Sequence, residues 1–365
     1  MTTVTNGLHH GRVTAPRSKS HEHRLLIADF LAGDDSRLVE REGDSADIAA
    51  TKRCLRMLRT DEESPLLDCG ESGSTRRFLG PVAAALGKRP VFKMSGRLGM
   101  RPNLEYNELR PGEFRLDGGV SSQFVTGLLF ALPLLDGDSS IRFSAPLESR
   151  GYVDMTLRVL AGAGIFVSLA DDGYDIPGSQ VYHSQKDVQV EGDWSGAAFW
   201  YAMNALGSMM IVEGLNPKSA QPDRVVSELL RRISTGWTGE KIGIDVSSCP
   251  DIFPVLAVVA AGSPVKTIFT GTRRLRLKES DRVEAMTDVL GRFGVKVEQE
   301  DNSFIVTGTE RPFAAGEYSS FGDHRIAMSI AVGATRASGP LVIDDVECSA
   351  KSYPDFFSEF NRTLG

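Results

Sequence analysis

One short pattern is written six times along this chain, and that repeat constrains the fold more than any other feature. Each copy reads as a short strand, a turn of small, polar or charged residues, an apolar helix of about three turns, and a second strand. The copies are VTAPRSKSHEHRLLIADFLAG from Val13, LDCGESGSTRRFLGPVAAALG from Leu67, FRLDGGVSSQFVTGLLFALPLL from Phe114, VQVEGDWSGAAFWYAMNALG from Val188, IDVSSCPDIFPVLAVVAAG from Ile244 and YSSFGDHRIAMSIAVGA from Tyr318. Their spacing of about 50 to 75 residues is too long for a simple solenoid and suits a compact α/β unit.

The six helices are apolar nearly all round, which marks them as buried, yet every one opens with Ser, Gly, Asp, Lys, Arg or His. A buried helix with a polar first turn must aim that end at water or at charge. Between copies lies a second, amphipathic helix with a charged face: SADIAATKRCLRMLRT, YVDMTLRVLAGAG, PDRVVSELLRRIS, DRVEAMTDVLGRFG and DFFSEFNRTLG. The second copy lacks one, because GRLGMRPNLEYNELRPGEFRLDGG leaves room for only a turn or so of helix. One unit is therefore expected to be abbreviated.

A chain of 365 residues exceeds one ordinary core. Three copies per domain gives an upper domain over 18–190 and a lower domain made of 1–17 and 191–365. Polar helix starts from the two domains are expected to face a common cleft carrying positive potential.

A net charge of −7 argues against nucleic acid or an anionic membrane as the main partner, but not against a small anion held by clustered cations. The longest apolar runs fall short of the roughly 20 residues that span a bilayer. The opening MTTVTNGLHHGRV has no apolar core of a signal peptide, and Cys54, Cys69, Cys249 and Cys348 are scattered. The expectation is a cytoplasmic protein with free thiols and no metal site.

The densest charge lies in RLRLKESDR from Arg274, where Arg274, Arg276, Lys278 and Arg282 surround Glu279 and Asp281 just ahead of an amphipathic helix. Ser280 or Asp281 can cap that helix. Cations at a helix start oppose the macrodipole unless an anion joins them. Other copies place comparable groups at the same structural point. These are Lys19, Ser20 and Arg24 in the first, Gly73 in the second with Arg97 after it, and Ser121, Ser122 and Gln123 in the third with Ser149 and Tyr152 after it. Asp251 opens the fifth helix, as a reacting carboxylate or an N-terminal stabiliser, and His324 and Arg325 open the sixth, with Lys351 beyond. Together they imply a polyanionic ligand, two small anionic molecules meeting between the domains.

The set PRSKS, GESGSTRRF, GRLGMRP, VSSQFVTGLL, ESRGYVDMTL, CPDIFPVLA, RLKESDRVEAM, GDHRIAMSIA and CSAKSYPDFF resembles the EPSP (5-enolpyruvylshikimate-3-phosphate) synthase family, in order from about Val13 to Phe357. The resemblance implies a two-domain, inside-out α/β barrel-like fold of βαβαββ units, three per domain. It implies transfer of the enolpyruvyl group of phosphoenolpyruvate to the 5-hydroxyl of shikimate 3-phosphate by addition and elimination, with no cofactor and as a monomer. The sister family, UDP-N-acetylglucosamine enolpyruvyl transferase, pairs its early Lys with Asn and usually carries a Cys in the loop matching GRLGMRP. Here Ser20 follows Lys19, and that loop has Arg97 and no Cys. A non-catalytic anion-binding relative is the remaining alternative, and the two acids Asp251 and Glu279 speak against it.

By the same resemblance, phosphoenolpyruvate is held by Lys19, Gly73, Arg97, Gln123, Arg282, Arg325 and Lys351, with His324 nearby. Shikimate 3-phosphate is held by Lys19, Ser20, Arg24, Ser121, Ser122, Gln123, Ser149, Tyr152, Asp251 and Lys278. Asp251 takes the hydroxyl proton, and Glu279, alone or with Lys19, protonates C3. Glyphosate in the phosphoenolpyruvate subsite is a family expectation. Arg274 and His23 stand where members commonly have Asn.

Overall fold

The computed structural model describes residues 1–119, 121–235 and 241–365; Val120, inside the third repeated segment, and 236–240 lie outside the described residues. The chain divides into two compact units, Met1–Ser18 with Glu191–Gly365, and Lys19–Val190. Among the described residues no helix is long and apolar enough to cross a membrane.

Strands β1 (Thr2–Val4) and β2 (His10–Thr14) come first. The 19–190 unit follows with α1 (Lys19–Leu31), α2 (Ala46–Arg59), β3 (Leu66–Gly70), α3 (Gly73–Ala85), β4 (Val91–Met94), β5 (Glu113–Leu116), α4 (Ser122–Ala131), β6 (Ser139–Phe143), α5 (Arg150–Gly162), β7 (Ser168–Ala170) and β8 (Gly173–Ile176). The 191–365 unit continues with α6 (Trp194–Ala205), β9 (Met209–Glu213), α7 (Val226–Thr235), β10 (Ile242–Asp245), α8 (Phe253–Ala261), β11 (Lys266–Thr270), α9 (Arg282–Arg292), β12 (Lys296–Gln299), β13 (Ser303–Thr307), β14 (Gly316–Tyr318), α10 (His324–Gly333), β15 (Leu341–Ile343) and α11 (Phe356–Thr363).

The repeat is clearest in two complete copies. β5–α4–β6–α5–β7–β8 forms a sheet of order β5-β6-β8-β7, and β10–α8–β11–α9–β12–β13 forms one of order β10-β11-β13-β12. In each, the first pair is parallel across a helix (Phe114 opposite Ile141, Ile244 opposite Phe269) and the remaining pairs are antiparallel. A parallel pair needs a crossover, which the buried helix supplies, while the last two strands join through a tight turn. Each copy is thus βαβαββ.

The other copies in the 19–190 unit are shorter. In the second, β3 pairs only with β4 among the described residues, and a 3₁₀ turn at Gly96–Met100 stands where other copies place an amphipathic helix. Shortening also reaches the first copy, where sequence alone had promised a second strand. A 3₁₀ turn, Ser36–Leu38, follows α1, and no described residue between Leu31 and Leu66 forms a strand. The segment DDSRLVEREGD is too polar to present an alternating apolar face, so it has nothing to bury as a strand.

All six apolar helices form. Every residue of α8 is buried, and α6, α8 and α10 share one hydrophobic core with Phe253, Phe269 and Phe304, while α1, α3 and α4 belong to a second. Their starts are capped by side chains that accept backbone N–H groups: Ser72 on α3, Ser121 on α4, Asp193 on α6 and Asp323 on α10. Capping satisfies part of the orphan donors and leaves the remainder of each first turn for a ligand.

Candidate active site

In the 191–365 unit the starts of α8, α9 and α10 bring Asp251, Arg282 and His324–Arg325 together around a single guanidinium. Arg282 is only 1% exposed. Its Nε donates to Asp323 at 2.9 Å, Nη1 to Asp251 at 3.0 Å and Nη2 to Glu279 at 3.0 Å. Asp323 also accepts the backbone N–H of Arg325 at 3.0 Å and the hydroxyl of Ser280 at 3.0 Å. One carboxylate thus caps α10 and neutralises the cation that opens α9. The expectation that these cations would be unfavourable without a bound anion is corrected here, because protein carboxylates already compensate Arg282. Arg276 is likewise paired with Asp281, the cap of α9, and with Glu284.

Around this core, Arg325 donates to Ser195 at 2.5 Å and lies 3.4 Å from Asp251, Lys278 is 3.5 Å from Asp251, and Lys351 is 4.0 Å from Glu279. Burial opposes ionisation of Asp251, but Arg325, Lys278 and Arg282 outweigh it and hold its pKa well below the ordinary carboxylate range, with Glu279 working the other way. Asp323 is lowered too: burial resists, and Arg282 and His324 prevail. Burial pushes Lys278 down to about 8, against the pull of Asp251 and with Arg282 and Arg274 assisting. The arrangement therefore holds a carboxylate in its ionised form beside a lysine poised near neutrality.

In the 19–190 unit, Lys19 opens α1 and pairs with Asp47 at 2.8 Å. Arg24 is buried and ties α1 to α5, donating to Thr156 at 2.9 Å and to the carbonyls of Ser20 at 2.5 Å and Tyr152 at 2.8 Å. Ser149 holds a left-handed conformation (φ 53°) just before α5, which is unusual for a residue with a side chain. His23 donates to or accepts from Thr51 at 2.8 Å, and Thr51 meets Thr75, which donates to Ser72. Burial lowers His23 to about 3, so it is a neutral link between the α1 and α3 starts at ordinary pH.

Gly73 begins α3. A Cβ there would lie 2.7 Å from Nη1 of Arg77 and 3.4 Å from Nη1 of Arg101, so a side chain would displace the Arg77 guanidinium from its present place. Gln123 accepts from Arg77 at 2.6 Å and donates to Ser74 at 2.9 Å, while Ser121 caps α4 and Ser122 is buried. Arg97 is exposed on the 3₁₀ turn. Sequence reasoning missed Asp47 and Ser195, and noticed Arg77, Arg101 and Asp323 at the helix starts without giving them a role. The signal for Arg77 was its place four residues after Gly73, one helical turn on, which stacks it over the same helix start. Asp323 was visible as the residue before His324, but its counter-ion role depends on a partner 41 positions away.

Within each unit, then, helix starts gather cations and small donors, and the 191–365 cluster adds two acids, Asp251 and Glu279. Among the described residues no group of three or more His, Cys, Asp or Glu side chains could hold a metal ion. The EPSP synthase profile, described as 3-phosphoshikimate 1-carboxyvinyltransferase, matches residues 6–360. The chain belongs to the EPSP synthase family. A 3-phosphoshikimate 1-carboxyvinyltransferase of Clostridium kluyveri is 38% identical over 97% of this chain and 95% of its own length. Those of Clostridium beijerinckii and Clostridioides difficile are each 35% identical with the same coverage. The alignment with the C. kluyveri relative runs over 412 residues although this chain has 365, so the relative carries residues without a counterpart here, as two shortened units require. An EPSP synthase structure from Acinetobacter baumannii shares the fold, with a TM-score of 0.74 at 24% identity, covering 99% of this chain and 98% of that one.

Proposed function

We infer that the helix-start residues of both units serve one substrate pair, and that the division of labour follows the chemistry of each cluster. The chain is a 3-phosphoshikimate 1-carboxyvinyltransferase: it moves the enolpyruvyl group of phosphoenolpyruvate to the 5-hydroxyl of shikimate 3-phosphate, releasing phosphate. The observation that carries the residue assignment is the Arg282 hub, where Asp251, Glu279 and Asp323 converge on one buried guanidinium beside Arg325 and Lys351.

Phosphoenolpyruvate has a carboxylate and a phosphate. Arg282, Arg325 and Lys351 supply the cationic charge for both, joined by Lys19, Gly73, Arg97 and Gln123, with His324 adjacent. Shikimate 3-phosphate falls to Ser20, Arg24, Ser121, Ser122, Gln123, Ser149 and Tyr152, with Lys19, Lys278 and Asp251 completing the set. Asp251, ionised, takes the proton of the 5-hydroxyl as that oxygen bonds to C2 of the enol, and Glu279 delivers a proton to C3. The C2–O bond to phosphate then breaks, and C3 returns a proton to restore the double bond. A base with so depressed a pKa is weak, but arriving substrate anions compete for Arg325, Lys278 and Arg282 and raise it towards the working range.

The test is phosphate release from purified, folded protein given both substrates. Turnover that requires both is expected, and its absence overturns the reading. Glu279→Gln is expected to lower kcat by about 10²–10⁴-fold while leaving shikimate 3-phosphate binding nearly intact, and Asp251→Asn to lower kcat comparably. Equal loss of binding and turnover in Glu279→Gln removes it as the proton donor.

A further inference from the structure

The second copy lost its outer helix, and the chain that replaces it is gripped in an unusual way. Residues 102–109 run as an extended segment with no helix or strand, mostly exposed apart from half-buried Asn103 and Tyr106 and buried Leu109. Beneath them lies Arg76 on α3, a cation only 1% exposed. Its guanidinium sits 3.9 Å from the centroid of the Phe92 ring on β4 and donates through Nη2 to the carbonyl of Leu104 at 3.3 Å and to Glu105 at 2.5 Å. Gly80 makes the berth: a Cβ there would stand 2.9 Å from Nη1 of Arg76 and 3.4 Å from the Tyr106 ring. Arg77, the next residue, holds the same segment by donating from Nε and Nη2 to the carbonyl of Pro102 at 3.1 and 3.0 Å. Asn103 donates back to the carbonyls of Leu98 at 3.1 Å and Arg101 at 3.0 Å.

Resting on the proposed residue assignment, we propose that Arg76 is a positioning residue for phosphoenolpyruvate: it pins the strap 102–106 and thereby sets the Gly96–Arg101 turn, with Arg97 and Arg101, over the α3 start at Gly73. The reasoning is mechanical. An exposed turn carrying two arginines has only Leu98 buried within it, and the covering helix that could brace it is missing. A buried arginine costs desolvation that an apolar residue at the same place would not, and here that cost is countered by the contact with the Phe92 ring and a charge-assisted pair with Glu105 that an apolar residue cannot make, while Nε keeps no hydrogen-bond partner. Arg76 touches no reacting group under this assignment, so its effect should fall on the affinity of one substrate.

The experiment compares steady-state kinetics of wild type, Arg76→Met, Arg76→Lys and Glu105→Gln, each checked for folding by thermal unfolding. For Arg76→Met a rise of about tenfold in KM for phosphoenolpyruvate is expected, with kcat and KM for shikimate 3-phosphate within about twofold of wild type. Arg76→Lys, which keeps the charge over Phe92, is expected to recover KM to within about threefold, and Glu105→Gln to raise it by about threefold without disturbing α3. Unchanged KM for phosphoenolpyruvate in both Arg76→Met and Glu105→Gln overturns the inference. So does a parallel loss of kcat and both KM values, or a lysine variant as impaired as the methionine one. If Arg76→Met does not fold, Glu105→Gln and Arg76→Lys decide. A wild type without turnover instead removes the functional assignment and this inference with it.

Discussion

At the residue scale the decisive economy is that Asp323 serves two neighbours at once. It caps α10 and counters Arg282, both nearly without exposure to solvent. Removing one carboxylate from this buried cluster leaves Arg282 with Asp251 and Glu279 alone, at a cost of about 1–3 kcal/mol. Asp323→Asn keeps the cap and loses the charge, so a destabilisation of about that size in urea unfolding is expected, together with impaired turnover. The depressed pKa fixes the sign of the pH effect. The stabilisation is whole above the ordinary Asp value of about 3.9 and is lost as pH falls through the lower folded value. Lys278 gives a second prediction. Its folded pKa of about 8 means that the free protein loses this ammonium as pH rises through 8, so shikimate 3-phosphate affinity should weaken by up to about tenfold per pH unit beyond that point. Calorimetric titration between pH 7 and 9.5 should show the fall in wild type and its disappearance in Lys278→Arg, because a guanidinium stays charged throughout. A flat wild-type profile counts against Lys278 as a substrate ligand. Much at this scale was legible. RLKESDR announced its cations and acids, and GDHR its helix start. What sequence could not give was which acid meets which base, since Arg282 draws on residues 3, 31 and 41 positions away.

At the element scale α3 and α4 pack directly against each other. A Cβ on Gly127 would lie 2.3 Å from the carbonyl oxygen of Arg77 and 2.9 Å from Pro81, so the glycine lets the backbones of the two helices approach each other closely. That contact also sets Arg77 against Gln123, the link between the two helix starts. Gly127→Ala should therefore cost about 1–3 kcal/mol by overpacking and should weaken phosphoenolpyruvate binding as Arg77 shifts. Denaturant unfolding combined with KM measurements checks it, and an unchanged midpoint would show that the helices can part without strain. Helix identity was readable because apolar content all round has one physical meaning, burial. The abbreviated second copy was readable from the short span between Arg101 and Phe114. The missing strands of the first copy were not, because a polar connection such as DDSRLVEREGD carries no periodicity that distinguishes a loop from a lost strand. Arg76 escaped notice for a related reason: beside Arg77 in a helix start it reads as surface charge, and only its place over Phe92 reveals it as buried.

At the scale of the whole molecule, strand loss is heaviest within 19–190, whose described residues form one four-stranded and one two-stranded sheet, against sheets of four, three and two strands in the other unit. The two hydrophobic cores share no residue. Separate cores allow separate unfolding, and the unit that has lost strands and an outer helix should open first, since less apolar surface is buried per residue ordered. The chain provides its own reporter: the sequence from 19 to 190 contains no Trp, and Trp200 is fully buried in the other unit. Tryptophan fluorescence therefore follows that unit alone, whereas far-ultraviolet circular dichroism follows both. Part of the ellipticity should disappear at lower urea than the fluorescence change. Most of the side chains assigned to shikimate 3-phosphate, from Ser20 to Tyr152, lie in the shortened unit, so a ligand concentration of 100 Kd should stabilise its transition by about 2.7 kcal/mol and draw it towards the second. Coincident transitions by the two probes, with and without ligand, would mean that the halves unfold as one body and that the loss of strands has been compensated within the shortened unit.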